Sequence, residues 1–416
     1  MGDVGKDLAF DCRACSTPLK HSMVDLGMSP LCEDFLRQNE LNTPETFYPL
    51  EVFICHECWL AQAAEYSSNE DIFDDDYGYF SSYSTSWLRH AELYVEKVIK
   101  RLDLNPQSFV VEIASNDGYL LKNFVQAGIP CLGVDPAANV VAAATKVGVD
   151  TRIEFFTEAL AKELASDRQA DLVLGNNVLA HTPFIKDFVA GVAALVKPEG
   201  TATFEFPHLQ CLLEQVQFDT IYHEHFSYYS LYTVNRMFEQ VGMRVVDVES
   251  LKTAGGSLRV FIEHIANGTE QSQAVADTLA GEQAAGLFDL DTYRAFGERA
   301  ANVKNELLTL LIRLKKEGKR VVGYGAPGKG NTMLNYCGIK TDLLEFTCDR
   351  SVHKHGRYCP GSRIPIFPPK HIDEIKPDYV LILPWNLERE ITAQLAHIRE
   401  WGGKFIVPIP VATIID

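Results

Sequence analysis

Ten consecutive residues, Thr220-Ile221-Tyr222-His223-Glu224-His225-Phe226-Ser227-Tyr228-Tyr229, carry two imidazoles, one carboxylate and three phenols. Packing alone rarely asks for that mixture. Imidazole exchanges protons near pH 7, so acid–base chemistry is the first reading. On a helix Tyr222, His225 and Phe226 share one face. On a strand His223 and His225 share a face, and Tyr222 and Glu224 take the other. Helix or turn is expected, because Ser227 to Phe238 reads as helical. His223 then points away in a structural role. Two other readings stand beside this one. A metal held by His223, Glu224 and His225 lacks the HExxH spacing that puts two imidazoles on one helical face. An aromatic–histidine cluster would be purely structural.

The elements that must position these groups fall into three parts, read as residues 1–75, 76–268 and 269–416. The first holds Cys12-Arg13-Ala14-Cys15 and Cys55-His56-Glu57-Cys58. Two CxxC knuckles supply the four soft donors of a tetrahedral zinc, and four thiolates leave no open position, so the metal is structural. It would add on the order of 10 kcal/mol to the folding of a short segment. The long spacer costs little, because loop closure grows logarithmically. Zinc is expected to lie remote from the chemistry. From Asp71 to Ser86 the composition turns acidic, aromatic and hydroxylic, which fits either a linker or an ordered loop donating phenols and hydroxyls.

The second part begins with a helical period over 87–102. The apolar run Ser108 to Ile113 then breaks at Ala114-Ser115-Asn116-Asp117-Gly118, and a second strand, Cys131 to Val134, ends in Asp135. Strand, glycine loop, helix, strand, acid is the arrangement that holds an adenosine-type ligand. Gly118 would let the ligand approach the backbone, and Asp135 would accept from ribose hydroxyls. A strand leading to Asn176 and on to His181, another at 200–206, and a late antiparallel pair at 243–248 and 259–263 complete this part. The third starts with a helical connector at 270–316. It continues through Gly323-Tyr324-Gly325-Ala326-Pro327-Gly328-Lys329-Gly330-Asn331, strands at 343–348 and 379–383, and an edge strand at 404–408. The glycine loop fits most of a phosphate loop, but Gly330 stands where Ser or Thr would hold Mg²⁺, so NTP hydrolysis is excluded. Two readings remain, a diphosphate cradle or a tight turn with a surface lysine. The fold class is therefore α/β: a small zinc-binding domain, a Rossmann-like middle domain and a second Rossmann-like C-terminal domain.

Bulk properties narrow the partners. The net charge of -18 argues against nucleic acid and anionic membranes. No run of about 18 apolar residues spans a bilayer, and the first residues lack a signal peptide's regions. Cytoplasmic localisation follows, and the paired cysteines among the ten read as metal ligands rather than disulfides. A monomer is compatible with three domains on one chain.

The ordered set CxxC…CxxC, EIASNDG, NNVLAH, YHEHF, GGSLR and GYGAPGKGN resembles the S-adenosylmethionine (SAM)-dependent C-methyltransferases that act on nucleotide-linked 4-keto deoxysugars. These make branched sugars such as mycarose, noviose and tetronitrose. The resemblance spans essentially the whole chain. It implies SAM as methyl donor, a structural zinc and a nucleotide-diphosphate 4-keto-deoxysugar as substrate. It places Glu112, Asn116, Gly118 and Asp135 in the SAM site, with Phe155, Asn176 and Tyr77 beside them. It places Tyr79, Ser81 and Ser82 at the substrate, and His181, Tyr222, Glu224 and His225 in the catalytic set. The usual glycine is replaced by Ala114, which predicts a looser turn. In that chemistry His225 removes the C3 proton, and Tyr222 or His181 donates to the C4 oxyanion. Glu224 holds an imidazole tautomer or binds a substrate hydroxyl or amine. Arg259, Gly328, Lys329 and Asn331 would hold the diphosphate. The alternatives are an O- or N-methyltransferase, which needs no base for a C–H bond, and a non-catalytic zinc- and nucleotide-binding protein.

Overall fold

The computed structural model describes residues 10–66 and 80–416. The spacer between the two cysteine pairs is a ladder. β1 (His21–Ser29) and β2 (Tyr48–Ile54) pair antiparallel, with His21 opposite Ile54, so the chain doubles back and brings Cys55 to Cys12. β3 (Ala61–Ala63) adds a third strand against β2. Side chains alternate along β2. Leu50, Val52 and Ile54 enter one core, and Phe53 and the following Cys55 enter another.

The second unit opens with α1 (Thr85–Arg101), capped where Ser84 Oγ accepts from the Trp87 amide at 3.3 Å. Then come β4 (Val110–Ile113), α2 (Leu121–Gln126), β5 (Cys131–Val134), α3 (Ala138–Lys146), β6 (Thr151–Arg152), α4 (Glu158–Asp167), β7 (Ala170–Asn176), α5 (Ile185–Leu195) and β8 (Val196–Pro207). α6 (Leu209–Glu214), the short β9 (Ser227–Tyr228), α7 (Leu231–Glu239), β10 (Met243–Leu251) and β11 (Ser257–His264) complete it. The sheet order is β10-β11-β8-β7-β4-β5-β6. β8 through β6 run parallel, and β11 and β10 return antiparallel. Strand order reverses between β4 and β7, and ligands of such sheets bind at the carboxyl ends of those strands.

β9 does not join this sheet. It pairs with β3, Ala61 opposite Tyr228, so the first sheet takes its last strand from the ten-residue cluster. This corrects the expected helix over 227–238. Ser227 and Tyr228 are recruited as a strand, and helix starts only at Leu231, where Ser230 Oγ accepts from the Thr233 amide. The expected border at residue 75 lies outside the described residues, and the first sheet crosses it.

The third unit runs α8 (Gln273–Ala284), α9 (Leu290–Lys316), β12 (Val321–Tyr324), α10 (Gly328–Cys337), β13 (Thr347–Cys348), β14 (Ile366–Phe367), α11 (His371–Ile375), β15 (Tyr379–Ile382), α12 (Glu388–Gln394), β16 (Lys404–Val407) and β17 (Thr413–Ile415). Its order is β14-β13-β12-β15-β16-β17. The expected edge strand, β16, is interior, because β17 pairs antiparallel on its outer side. α9 buries Tyr293, Phe296, Ala300, Val303, Leu307, Leu311 and Leu314 at helical spacing. Among the described residues no helix is long and apolar enough to cross a membrane.

Both α/β units use their second-strand acid alike. Asp135 accepts from the Asn116 amide at 2.9 Å and from Ala137, two residues on, at 3.0 Å. Asp349 accepts from Ala326 and from Ser351, both at 2.7 Å. Leu50 and Val52 share a core with Leu307, Val322 and Ile406 of the third unit, whereas Phe53 and Leu60 share one with Val111, Phe204 and Val260 of the second. The small sheet is thus a slab buried on both faces.

Candidate active site

Three residues in the left-handed region, Ala114 (φ 58°), Asn116 (φ 49°) and Gly118 (φ 74°), turn β4 toward α2. The turn is not loosened by Ala114, which takes up the glycine-like conformation at a cost of about 1–2 kcal/mol. Gly118 is needed for packing as well as for its positive φ. A Cβ there would stand 3.0 Å from Val149 Cγ2 and 3.2 Å from Ala144 Cβ. The loop is roofed by residues 81–82. Asn116 Oδ1 accepts from the Ser81 amide at 2.9 Å, and Asp117 Oδ2 from the Ser82 amide at 3.1 Å. Beneath it Glu112 is fully buried and neither carboxylate oxygen has a partner among the described residues. Burial pushes Glu112 up, with Asp135 and Asp117 adding to it. Burial also pushes Asp135 up, to about 6, against its backbone hydrogen bonds. Asn176 Nδ2, at the end of β7, is likewise buried without a partner among the described residues. Phe155 lies past β6 and is exposed. Tyr77 and Tyr79 lie outside the described residues.

The cluster forms a turn held to the segment that follows β7. The Phe226 amide donates to the Ala180 carbonyl at 2.7 Å, and the Tyr229 hydroxyl to the Leu179 carbonyl at 3.0 Å. The His225 amide donates to the Tyr222 carbonyl at 2.9 Å, so these two residues stack one above the other, ring centroids 4.0 Å apart. The His225 ring contacts the Thr220 carbonyl through Nδ1 at 2.8 Å. A carbonyl only accepts, so Nδ1 bears the hydrogen and Nε2 the lone pair. Burial drives His225 well below its ordinary value, and His181 and Lys329 add to it, so the ring is neutral at pH 7. His181 sits edge-on at 4.8 Å. Burial lowers it to about 4, although it donates to the Glu224 carbonyl. A neutral ring has one N–H, and His181 directs its own at that carbonyl, whereas the Tyr222 ring lies against His225.

Glu224 faces elsewhere. Its Oε1 accepts from Cys32 Sγ at 3.3 Å, and burial raises it to about 8 with Glu33 adding to it. The expected tautomer-holding role for His225 belongs to the Thr220 carbonyl, and the Glu224 carboxyl meets Cys32 instead of an imidazole. His223 turns to the Pro49 carbonyl at 3.2 Å and the edge of Tyr48, as a structural residue would.

The third-unit glycine loop is already filled. The Gly328 amide donates to Glu33, and a Cβ on Gly328 would stand 2.9 Å from Cys32 Sγ. Lys354 closes the arrangement, 3.0 Å from Glu33 and 2.9 Å from the Ala326 carbonyl. Asn331 donates to the Cys32 carbonyl at 2.6 Å. A carboxylate of the first unit therefore stands where a phosphate was expected. Arg259, expected at the diphosphate, is buried in an ion pair with Glu205 at 2.5 Å, over the Tyr94 ring. Lys329 is not a surface lysine. Its Nζ is buried without a hydrogen-bond partner among the described residues, 5.2 Å from the Trp385 ring centroid. Asp219 beside it accepts from Trp385 Nε1 at 2.6 Å. Gly255, in GGSLR, has φ 90°, and a Cβ there would stand 2.8 Å from the Trp385 ring. Asp219 and Trp385 escape a sequence reading. Asp219 lies just outside the cluster, and Trp385 is marked only by its place after β15.

The two knuckles have matching geometry. Ser16 (φ 60°) and Trp59 (φ 59°) follow their second cysteines, and their amides close onto the Cys12 and Cys55 carbonyls at 2.8 and 3.0 Å. The four sulfurs lie within 4.8 Å of one another. Arg13, inside the first knuckle, donates to the Ala63 carbonyl at 2.8 Å and the Phe226 carbonyl at 2.9 Å. The metal centre is therefore one side chain from the turn that carries Tyr222 and His225, closer than expected.

Three family models match in chain order: "Putative zinc binding domain" over 12–73, "Methyltransferase domain" over 87–248 and "C-methyltransferase C-terminal domain" over 252–410. The C-methyltransferase NovU of Streptomyces niveus is 39% identical over 98% of this chain and 97% of its own. This chain belongs to the C-methyltransferase family. A ubiquinone biosynthesis O-methyltransferase of Rhodopseudomonas palustris is 27% identical over 24% of the methyltransferase described here and 43% of its own length. A SAM-dependent methyltransferase structure from Anabaena variabilis covers 42% of this methyltransferase and 84% of its own chain, at 14% identity and a TM-score of 0.35.

The residues of the methyltransferase fit both groups. SAM carries an ammonium and a sulfonium, and the partnerless carboxylate of Glu112, with Asp117 and Asp135 around it, is the complement of a cation. Asn116, Asn176 and Asp135 supply polar atoms along the same strand ends. Zinc–sulfur bonds of about 2.3 Å put tetrahedral sulfurs roughly 3.8 Å apart. Cys12–Cys58 at 3.4 Å and Cys15–Cys55 at 3.5 Å fit that spacing, and Gln62 donates to Cys12 Sγ at 3.2 Å.

Proposed function

We propose that the methyltransferase methylates C3 of a nucleotide-linked 4-keto-deoxysugar through an enolate. SAM, when bound, supplies an electrophilic methyl group. The residues of the chain make the carbon nucleophile. His225 Nε2 takes the C3 proton, and the C–H electron pair becomes the enolate conjugated with the C4 oxygen. The Tyr222 hydroxyl donates to that oxygen as charge develops. The Thr220 carbonyl keeps the His225 proton on Nδ1 throughout, so Nε2 alone exchanges. Ser81 and Ser82, over the loop after β4, are the residues proposed to meet the sugar. Glu112, Asn116, Asp135 and Asn176 are those proposed to hold the cofactor.

The observation that carries this reading is the fixed tautomer of a neutral, buried His225 stacked on Tyr222. Transfer to an oxygen or nitrogen does not need a base that acts on a C–H bond. The test is the product. Incubation with SAM and a nucleotide 4-keto-6-deoxysugar is expected to give a methyl carbon bonded to C3 by NMR. A methyl on oxygen or nitrogen would contradict it.

A further inference from the structure

Enolisation is a two-sided problem. The base must take a proton from carbon, and the oxygen must bear the charge left behind. The base here is weak, because the burial that keeps His225 neutral also lowers its affinity for a proton. The transfer therefore depends on the oxygen side. Tyr222 gives one hydrogen bond there, and His181 directs its proton at the Glu224 carbonyl. A phenol alone is a modest partner for a full negative charge.

We propose that Lys329 is a further catalytic residue, its ammonium holding the C4 oxyanion of the enolate, with Asp219 and Trp385 as its positioning residues. This rests on the enolate reading above. Four observations support it. Lys329 Nζ is buried yet makes no hydrogen bond to any described residue, so its donors are available to a ligand oxygen. The cation and the base are set by consecutive residues, since Asp219 faces Lys329 and the Thr220 carbonyl aims His225. α10, which carries Lys329, is fastened to the same segment by Thr332 Oγ1, which donates to the Ile221 carbonyl at 3.0 Å. Trp385 touches both members of the Lys329–Asp219 pair, its ring facing Nζ and its N–H held by Asp219. The glycine loop around Lys329 is capped by Glu33, which removes the phosphate reading of this lysine.

Charge balances through the step. The C3 proton moves to His225 Nε2, giving imidazolium. The electron pair moves to the C4 oxygen, giving an oxyanion against the ammonium. Burial lowers Lys329 and the facing Asp219 offsets part of that, and Lys329 acts in the step as a cation that forms no bond to the sugar.

The experiment reads exchange of the C3 hydrogen with solvent deuterium in a nucleotide 4-keto-6-deoxysugar, without SAM, alongside kcat and KM for methyl transfer. Lys329→Met is expected to slow exchange and kcat on the order of 10²–10³-fold, the usual loss of an oxyanion donor. KM is expected to stay within threefold. Added ethylammonium should restore part of the rate in Lys329→Ala. Zinc content and SAM affinity by calorimetry report folding. Loss carried by KM alone, exchange within threefold of wild type, or borohydride trapping of the sugar on Lys329 would each overturn the proposal. If Lys329→Met does not fold, Asp219→Asn reads the same contact. Without its carboxylate the ammonium loses its proton more easily, so the alkaline limb of exchange should move to lower pH. An unmoved limb would overturn the assignment. Absence of exchange in wild type would instead overturn the enolate reading itself.

Discussion

Tyr222 and His225 meet because one tight turn stacks residues three apart. That much can be read from spacing, since a helix and a turn share it. What spacing does not give is the direction of Glu224. Its carboxyl meets Cys32, distant in sequence, and no local pattern encodes that encounter. A buried carboxyl beside Glu33 has a measurable consequence. Glu224 keeps its proton to about 8 in the fold, against 4.5 in an unfolded chain. Between these values the folded state holds one proton more, so its contribution to stability is complete below pH 4.5 and lost as pH rises through 8. Glu224→Gln removes the ionisable group. Its stability relative to wild type should therefore increase from pH 5 to pH 9, by on the order of 4 kcal/mol. Urea unfolding at pH 5, 7 and 9 measures this, and a constant difference would contradict it.

At the scale of elements, the α/β repeats are legible because buried parallel strands are continuous apolar runs and their loops are marked by glycine and acid. Asp135 follows from the same marks, and its counterpart Asp349 emerges only with the sheet of the third unit. The ligands of the two loops do not follow from them, because Glu33 occupies the second loop from another part of the chain. The β1–β2 ladder also escapes a count of spacing, which sees only a long gap between cysteines. That ladder and β9 place Arg13 against the turn of Tyr222 and His225, where its guanidinium holds the Phe226 carbonyl next to His225. Arg13→Gln loses hydrogen bonds from a charged group, each worth about 1.5–3 kcal/mol. It is expected to lower kcat at least tenfold and leave the zinc content and the affinity for SAM unchanged. An unaltered kcat, with the fold intact by circular dichroism, would show that the turn does not need this contact.

For the molecule as a whole, the sequence divides into three parts, and the buried cores run between them. Val52 belongs with Val322 and Ile406, and Phe53 with Val111 and Phe204. A slab buried on both faces cannot loosen alone. Extracting zinc with a strong chelator should therefore lower the midpoint of one shared thermal transition. A separate early transition confined to residues 10–66, followed by hydrogen exchange, would contradict that coupling. The composition of the chain gave no hint of this, since amino acids on both faces of a short strand look like any buried strand.

The central claim is that His225 removes a proton from C3. The direct measurement is proton NMR of a nucleotide 4-keto-6-deoxysugar in deuterated water with the methyltransferase and no SAM. Wild type is expected to wash out the C3 hydrogen, and His225→Ala to do so at least 10²-fold more slowly, in keeping with loss of a general base. Equal exchange in the two proteins would contradict the assignment.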